Sequence, residues 1–260
     1  MHRLADFARE GLLLLLAALI LCTPSPASAQ SILRTAAQEA SEPKFIAKQD
    51  GGKTSVGGFC VDVFRAIEAI EPGLKFVGDQ NWLPLARVYG GPDDVVCGLL
   101  YTKERALKYD YISPALFSVN YLLVVRADDD VKVNDWDDIR KLGNDGIILS
   151  MHNFAISDIL RGMGGLQVDS TAVSSKSNLN KLLANRGRFY CHRSPGIVTE
   201  IRKAGLEGKV KLLPKVMLKE QFYMLVSKTV AADDAKKLRA AIVQLDNQGV
   251  LAKLFEKYLD

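Results

Sequence analysis

The sequence predicts an α/β fold. From Tyr121 to Leu213, short apolar runs of strand length alternate with helical patterns, the mark of a parallel sheet wrapped by helices. Upstream, DDVVCGLLYTKER from Asp93 to Arg105 sets another such run directly before a helix start. The 260 residues, 48% of them hydrophobic, suffice for one large domain or two small ones with proper cores. Net charge is +4 and no Lys/Arg cluster is interleaved with aromatics, so nucleic acid is not an expected partner.

Taken in order, residues 1–29 read as a signal peptide. His2, Arg3 and Arg9 form its basic end, Gly11 to Leu21 its apolar core, and Ala27-Ser28-Ala29 a cleavage site that leaves Gln30 first. The apolar run is shorter than the ~20 residues that span a bilayer, and no later stretch is longer, so an exported, periplasmic protein is expected. Gln30 to Ser41 is polar and Ala-rich and reads as a tether. QDGGKTSVGG reads as a hairpin turn, because its Gly52-Lys53-Thr54 lacks the upstream glycine of a phosphate loop and has Ala47 there. Val63, Phe64, Ile67 and Ile70 form the apolar face of a helix ended by Pro72-Gly73. Leu74 to Val77 is a strand, and Asn81-Trp82-Leu83-Pro84 opens a short helix. Trp82 there is either a stacking wall for a ligand or plain core packing.

After Tyr121 come strand 121–125, helix 135–142, strand 147–150 and a helix from about Asn153 to Gly162. Strand 166–168, helix 178–184, strand 188–192, helix 195–204 and strand 210–213 follow. A strand, Phe222 to Ser227, and a helix, Asp233 to Leu245, close the chain. Ligands of such sheets sit beyond the carboxyl ends of the strands. Those ends carry His152 with Asn153 and His192 with Arg193, which become candidate ligand contacts. Ser194 and Pro195 suit the cap and first position of the next helix. His152 and His192 have no third partner at metal-binding spacing, and no H-E-x-x-H, G-x-S-x-G or C-x-x-C occurs. Neither a metal nor a cofactor is expected.

Arg105 is the sharpest candidate. Thr102 is a good N-cap and Glu104 suits the positive helix end, but a cation in the first turn opposes the dipole by about 0.3–1 kcal/mol. Either Arg105 pairs with Asp110 or Glu104 on the surface, or it meets an anion together with the free N–H groups of the turn.

This segment, with Asp94, Thr102, Arg105 and Ser113-Pro114 in place, resembles the signature of the bacterial extracellular solute-binding proteins, family 3. These are receptors of polar amino-acid ABC transporters. GGFCVDVFRAIEAI at Gly57 to Ile70 resembles the family's first helix, and LDNQGVLAKLFEKYL at Leu245 to Leu259 its closing helix. The resemblance implies a type II fold of two hinged lobes with a central cleft. Residues 30–121 and 219–260 would form the first lobe and 122–218 the second, with crossovers near Tyr121 and Lys219. It further implies a ligand site holding Arg105, Thr102, Gly98 and Trp82, a small-molecule ligand, an ABC permease as partner, and a monomer. With Cys22 removed, Cys60, Cys97 and Cys191 remain. The family fold sets Cys60 beside Cys97, so either that pair is bridged or all three are small buried thiols.

The departures concern the ligand. Family members that bind amino acids carry acids in G-R-x-D-a-v-x-x-D to hold the substrate ammonium, whereas GRFYCHRSP places Tyr190 and Pro195 at those positions. Leu100 stands where a hydroxyl residue commonly helps hold the carboxylate. The carboxylate anchor Arg105 is thus present without the ammonium anchor, which implies an anionic, carboxylate-bearing ligand other than an ordinary amino acid. Two further classes are a periplasmic cyclohexadienyl-dehydratase-like enzyme of the same fold and an accessory module for a protein partner. The first needs an acid in the cleft, and between Arg188 and Gly196 there is only His192 to serve.

Overall fold

The computed structural model describes residues 30–39, 41–50 and 53–259; the expected signal peptide lies outside the described residues. The chain opens with strands Ser31–Arg34 (β1) and Ala37–Gln38 (β2), then a hairpin of Ile46–Asp50 (β3) and Lys53–Gly57 (β4). Helix Phe59–Ile70 (α1), strands Leu74–Val77 (β5) and Trp82–Leu83 (β6), and helix Leu85–Gly90 (α2) follow. Next come strand Val95–Leu99 (β7), helix Lys103–Lys108 (α3) and the long strand Tyr109–Arg126 (β8). The second half alternates helix Trp136–Arg140 (α4), strand Ile148–Met151 (β9), helix Ala155–Gly162 (α5) and strand Val168–Ala172 (β10). It continues with helix Ser175–Leu183 (α6), strand Phe189–Ser194 (β11), helix Ile197–Lys203 (α7) and strand Val210–Leu212 (β12). Strand Leu218–Ser227 (β13) and helices Ala232–Asn247 (α8) and Val250–Glu256 (α9) complete it.

The seven-stranded sheet runs β10-β9-β11-β8-β13-β7, with β12 paired to the end of β8. β8 joins two lobes. From Tyr109 to Tyr121 it pairs β13, and from Asn120 to Arg126 it pairs β11 and β12. A larger core gathers Phe59, Phe64, Phe76, Ile112, Phe117 and Ile242. A separate one holds Val124, Leu149, Leu179, Tyr190 and Ile197. Within the seven-stranded sheet the expected parallel pairing occurs between β9 and its neighbours β10 and β11, whereas β8 and β13 run antiparallel to every partner. Helical crossovers make parallel pairs, and β8 and β13 have a different task, carrying the chain out to the second lobe and back.

α1 buries Val63, Phe64 and Ile67 completely, as their spacing requires. Its N-cap, Gly58, has φ 111°, and a Cβ there would lie 2.6 Å from the Lys44 carbonyl oxygen. Only glycine fits. The segment read as a tether is instead structural: β1 lies parallel to β5 with Leu33 opposite Phe76, and Ala37 is fully buried. Strands of 4 and 2 residues carry too few alternations to register as a pattern. Trp82 likewise stands in a strand paired with Ala37 rather than opening a helix. The hairpin reading of β3 and β4 holds.

Candidate functional site

The turn after β7 builds one wall of the site. Gly98 has φ 71°, a left-handed conformation that turns its carbonyl toward Lys44, whose Nζ donates to it at 2.9 Å. Thr102 caps α3 by accepting from the Arg105 backbone N–H at 3.2 Å. That places Arg105 in the first turn with its side chain buried, 7% exposed. Its guanidinium donates to the Leu100 carbonyl at 3.0 Å, and the same carbonyl accepts the Tyr111 hydroxyl at 2.9 Å. The Tyr111 oxygen in turn accepts the Thr102 N–H at 3.1 Å. Arg105 is therefore turned inward, buried at the cavity rather than lying on the surface.

β11 builds the opposite wall. Its alternation sends Cys191 into the larger core and Tyr190 into the smaller one. Arg193, two residues beyond Cys191, reaches the cleft, where its Nη2 donates to the Glu42 carbonyl at 2.7 Å. His192 shares the other face with Tyr190, their rings 5.4 Å apart. Burial, and then the neighbouring Arg193 charge, push the His192 pKa down to about 3, so its imidazole is neutral. The Tyr190 hydroxyl donates to Ser175 Oγ at 3.0 Å. Ser194 belongs to β11 rather than capping a helix: the Ser194-Pro195 peptide is cis, and α7 starts after Gly196.

Between the walls lies a cavity of about 30 Å³, room for about one water, lined by Arg105, Arg193, Lys44, Gln38, Tyr121, Phe154 and Phe222 among others. No Asp or Glu lines it. Lys44 is 3% exposed, its Nζ donating to Gln38 Oε1 at 2.6 Å and to the Gly98 oxygen and lying 5.8 Å from the Phe222 ring centroid. Burial, with Arg193 and Arg105 nearby, holds its ammonium well below the usual lysine range.

Of the residues singled out in the sequence, Arg105 and Arg193 meet at this cavity, with Gly98 and Thr102 supporting it from behind. The others lie elsewhere. Trp82 is half-buried in β6, His192 faces the smaller core, and His152 and Asn153 are exposed beyond β9. His152 Nδ1 sits 3.2 Å from the Ser170 carbonyl oxygen. Lys44, Gln38, Phe154 and Phe222 were not anticipated. Gln38 sits in the segment read as a tether, and a single lysine between Pro43 and Phe45 carries no sequence signal of burial.

Cys60 and Cys97 are bonded, Cα to Cα 5.9 Å, tying the start of α1 to the residue before Gly98. Cys191 is free and buried, and burial pushes its thiol up to about 12. Among the described residues, no helix is long and apolar enough to cross a membrane, and no three potential ligands gather around a metal position.

Comparison with solved structures places this architecture among two-lobed binding proteins. The chain is similar to the substrate-binding protein AbpA of an amino acid ABC transporter from Streptococcus pneumoniae, bound to L-arginine: 16% identity, TM-score 0.68, 87% of this chain and 94% of that one covered. It is similar to a structure from work on glutathione import via GshT and the cystine importer TcyBC of Streptococcus mutans, at 18% identity and TM-score 0.69, covering 88% and 95%. It is also similar to a histidine kinase sensor domain resembling periplasmic binding proteins, at 17% identity and TM-score 0.69, covering 88% and 96%. No curated relative matches. The family model for bacterial extracellular solute-binding proteins, family 3, matches residues 33–260, and the chain belongs to that family.

Proposed function

We propose that this is a periplasmic solute-binding protein that captures a small anionic ligand bearing at least one carboxylate, and delivers it as a monomer to an ABC permease. The observation that carries this reading is the convergence of Arg105, Arg193 and Lys44 on one cavity whose lining includes no acid. A zwitterionic amino acid brings an ammonium that needs an acidic partner when buried, and without one it costs several kcal/mol. A carboxylate finds a guanidinium on each wall, and Arg suits it because of its planar fork of donors.

In this reading the first lobe comprises residues 30–121 and 219–260, the second 122–218, with the signal peptide cleaved after Ala29. The two crossovers are cross-strand neighbours, Tyr121 opposite Leu218 and Asn120 opposite Lys219. A short stretch of paired backbone is thus the hinge, and opening there admits a ligand to a cavity that is small in this closed form. Binding is favoured over catalysis because His192, the one acid candidate of the second wall, is neutral and turned to the other face of β11.

Calorimetric titration of the mature protein with common amino acids and with di- and hydroxycarboxylates tests the reading. Micromolar or tighter binding of a carboxylate anion is expected; sub-micromolar binding of a simple neutral amino acid overturns it.

A further inference from the structure

The Lys44 head donates to two acceptors of the cavity wall, the Gln38 side-chain oxygen at 2.6 Å and the Gly98 carbonyl at 2.9 Å. Two oxygens facing one buried nitrogen make a recess for an amino group, and the chain fills it with its own. We propose that Lys44 is a specificity-determining residue: its amino group occupies the place that a ligand's ammonium would take, so the cavity selects dicarboxylates over the 2-amino acids of the same skeleton. This deepens the anion-binding reading and rests on it.

A dicarboxylate sets one carboxylate on Arg105 and the other on Arg193, and its negative charge favours the protonated Lys44, which keeps both acceptors and has its third N–H left for the bound oxygens. An acidic amino acid offers the same two carboxylates, but its ammonium meets a recess already holding an amino group, with two guanidiniums nearby and no acid in the cavity lining. Charged, Lys44 repels a second ammonium, and in either state its nitrogen takes up the place between the Gln38 and Gly98 oxygens. The backbone enforces this arrangement. A Cβ on Gly98 would come within 2.7 Å of Lys44 Cδ, so the lysine stem lies flush on the glycine. Removing the lysine stem leaves Gln38 Oε1 and the Gly98 oxygen facing a space continuous with the cavity.

The experiment titrates four probes, succinate, aspartate, glutarate and glutamate, into wild type, Lys44→Ala and Lys44→Met, with Arg105→Ala as the reference for the site. Wild type is expected to bind succinate or glutarate at least about tenfold more tightly than the amino counterpart. Lys44→Ala is expected to reverse that order, and Lys44→Met, which keeps the bulk, to weaken the dicarboxylate without gaining the amino acid. Circular dichroism and a cooperative melt check that each variant is folded. Wild type binding aspartate or glutamate as well as the dicarboxylate, in an Arg105-dependent way, overturns the inference and leaves the anion site standing, even if Lys44→Ala fails to fold. A folded Lys44→Ala that keeps the wild-type order does the same. If wild type binds none of the four, the inference falls, and the wider titration with hydroxycarboxylates and neutral amino acids decides the anion-site reading separately.

Discussion

Arg105 reaches the cavity because a threonine cap, a backbone carbonyl and a tyrosine hydroxyl together fix the turn that carries it. Its replacement by alanine is expected to weaken capture of the ligand by roughly 2–5 kcal/mol, the usual loss for one partner of a buried charge pair. Calorimetry on the folded variant checks this, and an unchanged Kd removes Arg105 from the site. A second residue-scale outcome concerns acid. Burial raises the Asp169 pKa, but hydrogen bonds from Lys181 and Thr171 outweigh it and leave the carboxyl at about 2. Against an unfolded value near 3.9, this group adds stability that is complete above that pH and lost as pH falls through about 2. Lys181→Met should therefore lower the urea midpoint at about pH 5 more than at about pH 2.5. Equal losses at both would show that the pair does not carry the dependence. At this scale the sequence was half legible. Arg105 stood out because a cation opposed a helix dipole, whereas Lys44 is an ordinary lysine until the fold closes over it.

Elements were read best where a long periodic pattern met a good terminus. α1 and the return strand β13 fall close to their expected places, since buried apolar positions leave little freedom in phase. β1 and β2 were missed because they are short and draw their stability from β5 and β6, partners distant in sequence. The cap at Ser194 failed for a related reason: the pairing of Ser194 with Asn120 extends β11 through it. The bond between Cys60 and Cys97 clamps α1 to β7 across a separation of 37 residues. Closing such a loop in the unfolded chain is worth about 3–4 kcal/mol on the chain-entropy model. Peptide mapping without reduction should find this linked pair with Cys191 free, and Cys97→Ser should lower the melting temperature of unreduced protein to that of reduced wild type. Three free thiols in oxidised material would refute the pairing.

For the whole molecule, family and fold were legible because ordered marks run from α1 to α9, whereas the contacts that join distant segments at the cavity were not. Those contacts include the Lys203 ammonium on Glu42 at 2.5 Å and Arg193 on the Glu42 carbonyl at 2.7 Å. Lys203→Ala should shift the molecule toward an open form, read as a larger radius of gyration in small-angle scattering that falls again on adding ligand; an identical radius would show that the pair does not hold the cleft. The strand order has a consequence in time. β13 lies between β7 and β8, yet it is made more than ninety residues after β8 ends. A chain growing from its N-terminus therefore holds two facing strand edges with an empty lane between them until Leu218 to Ser227 arrives. The first lobe cannot close its core early, however well its own segments are patterned. A chain ending at Met217 is expected to lack a cooperative melt. The last sixth of the sequence thus acts as the commitment step of folding, and whatever handles the nascent chain must keep those edges apart until then.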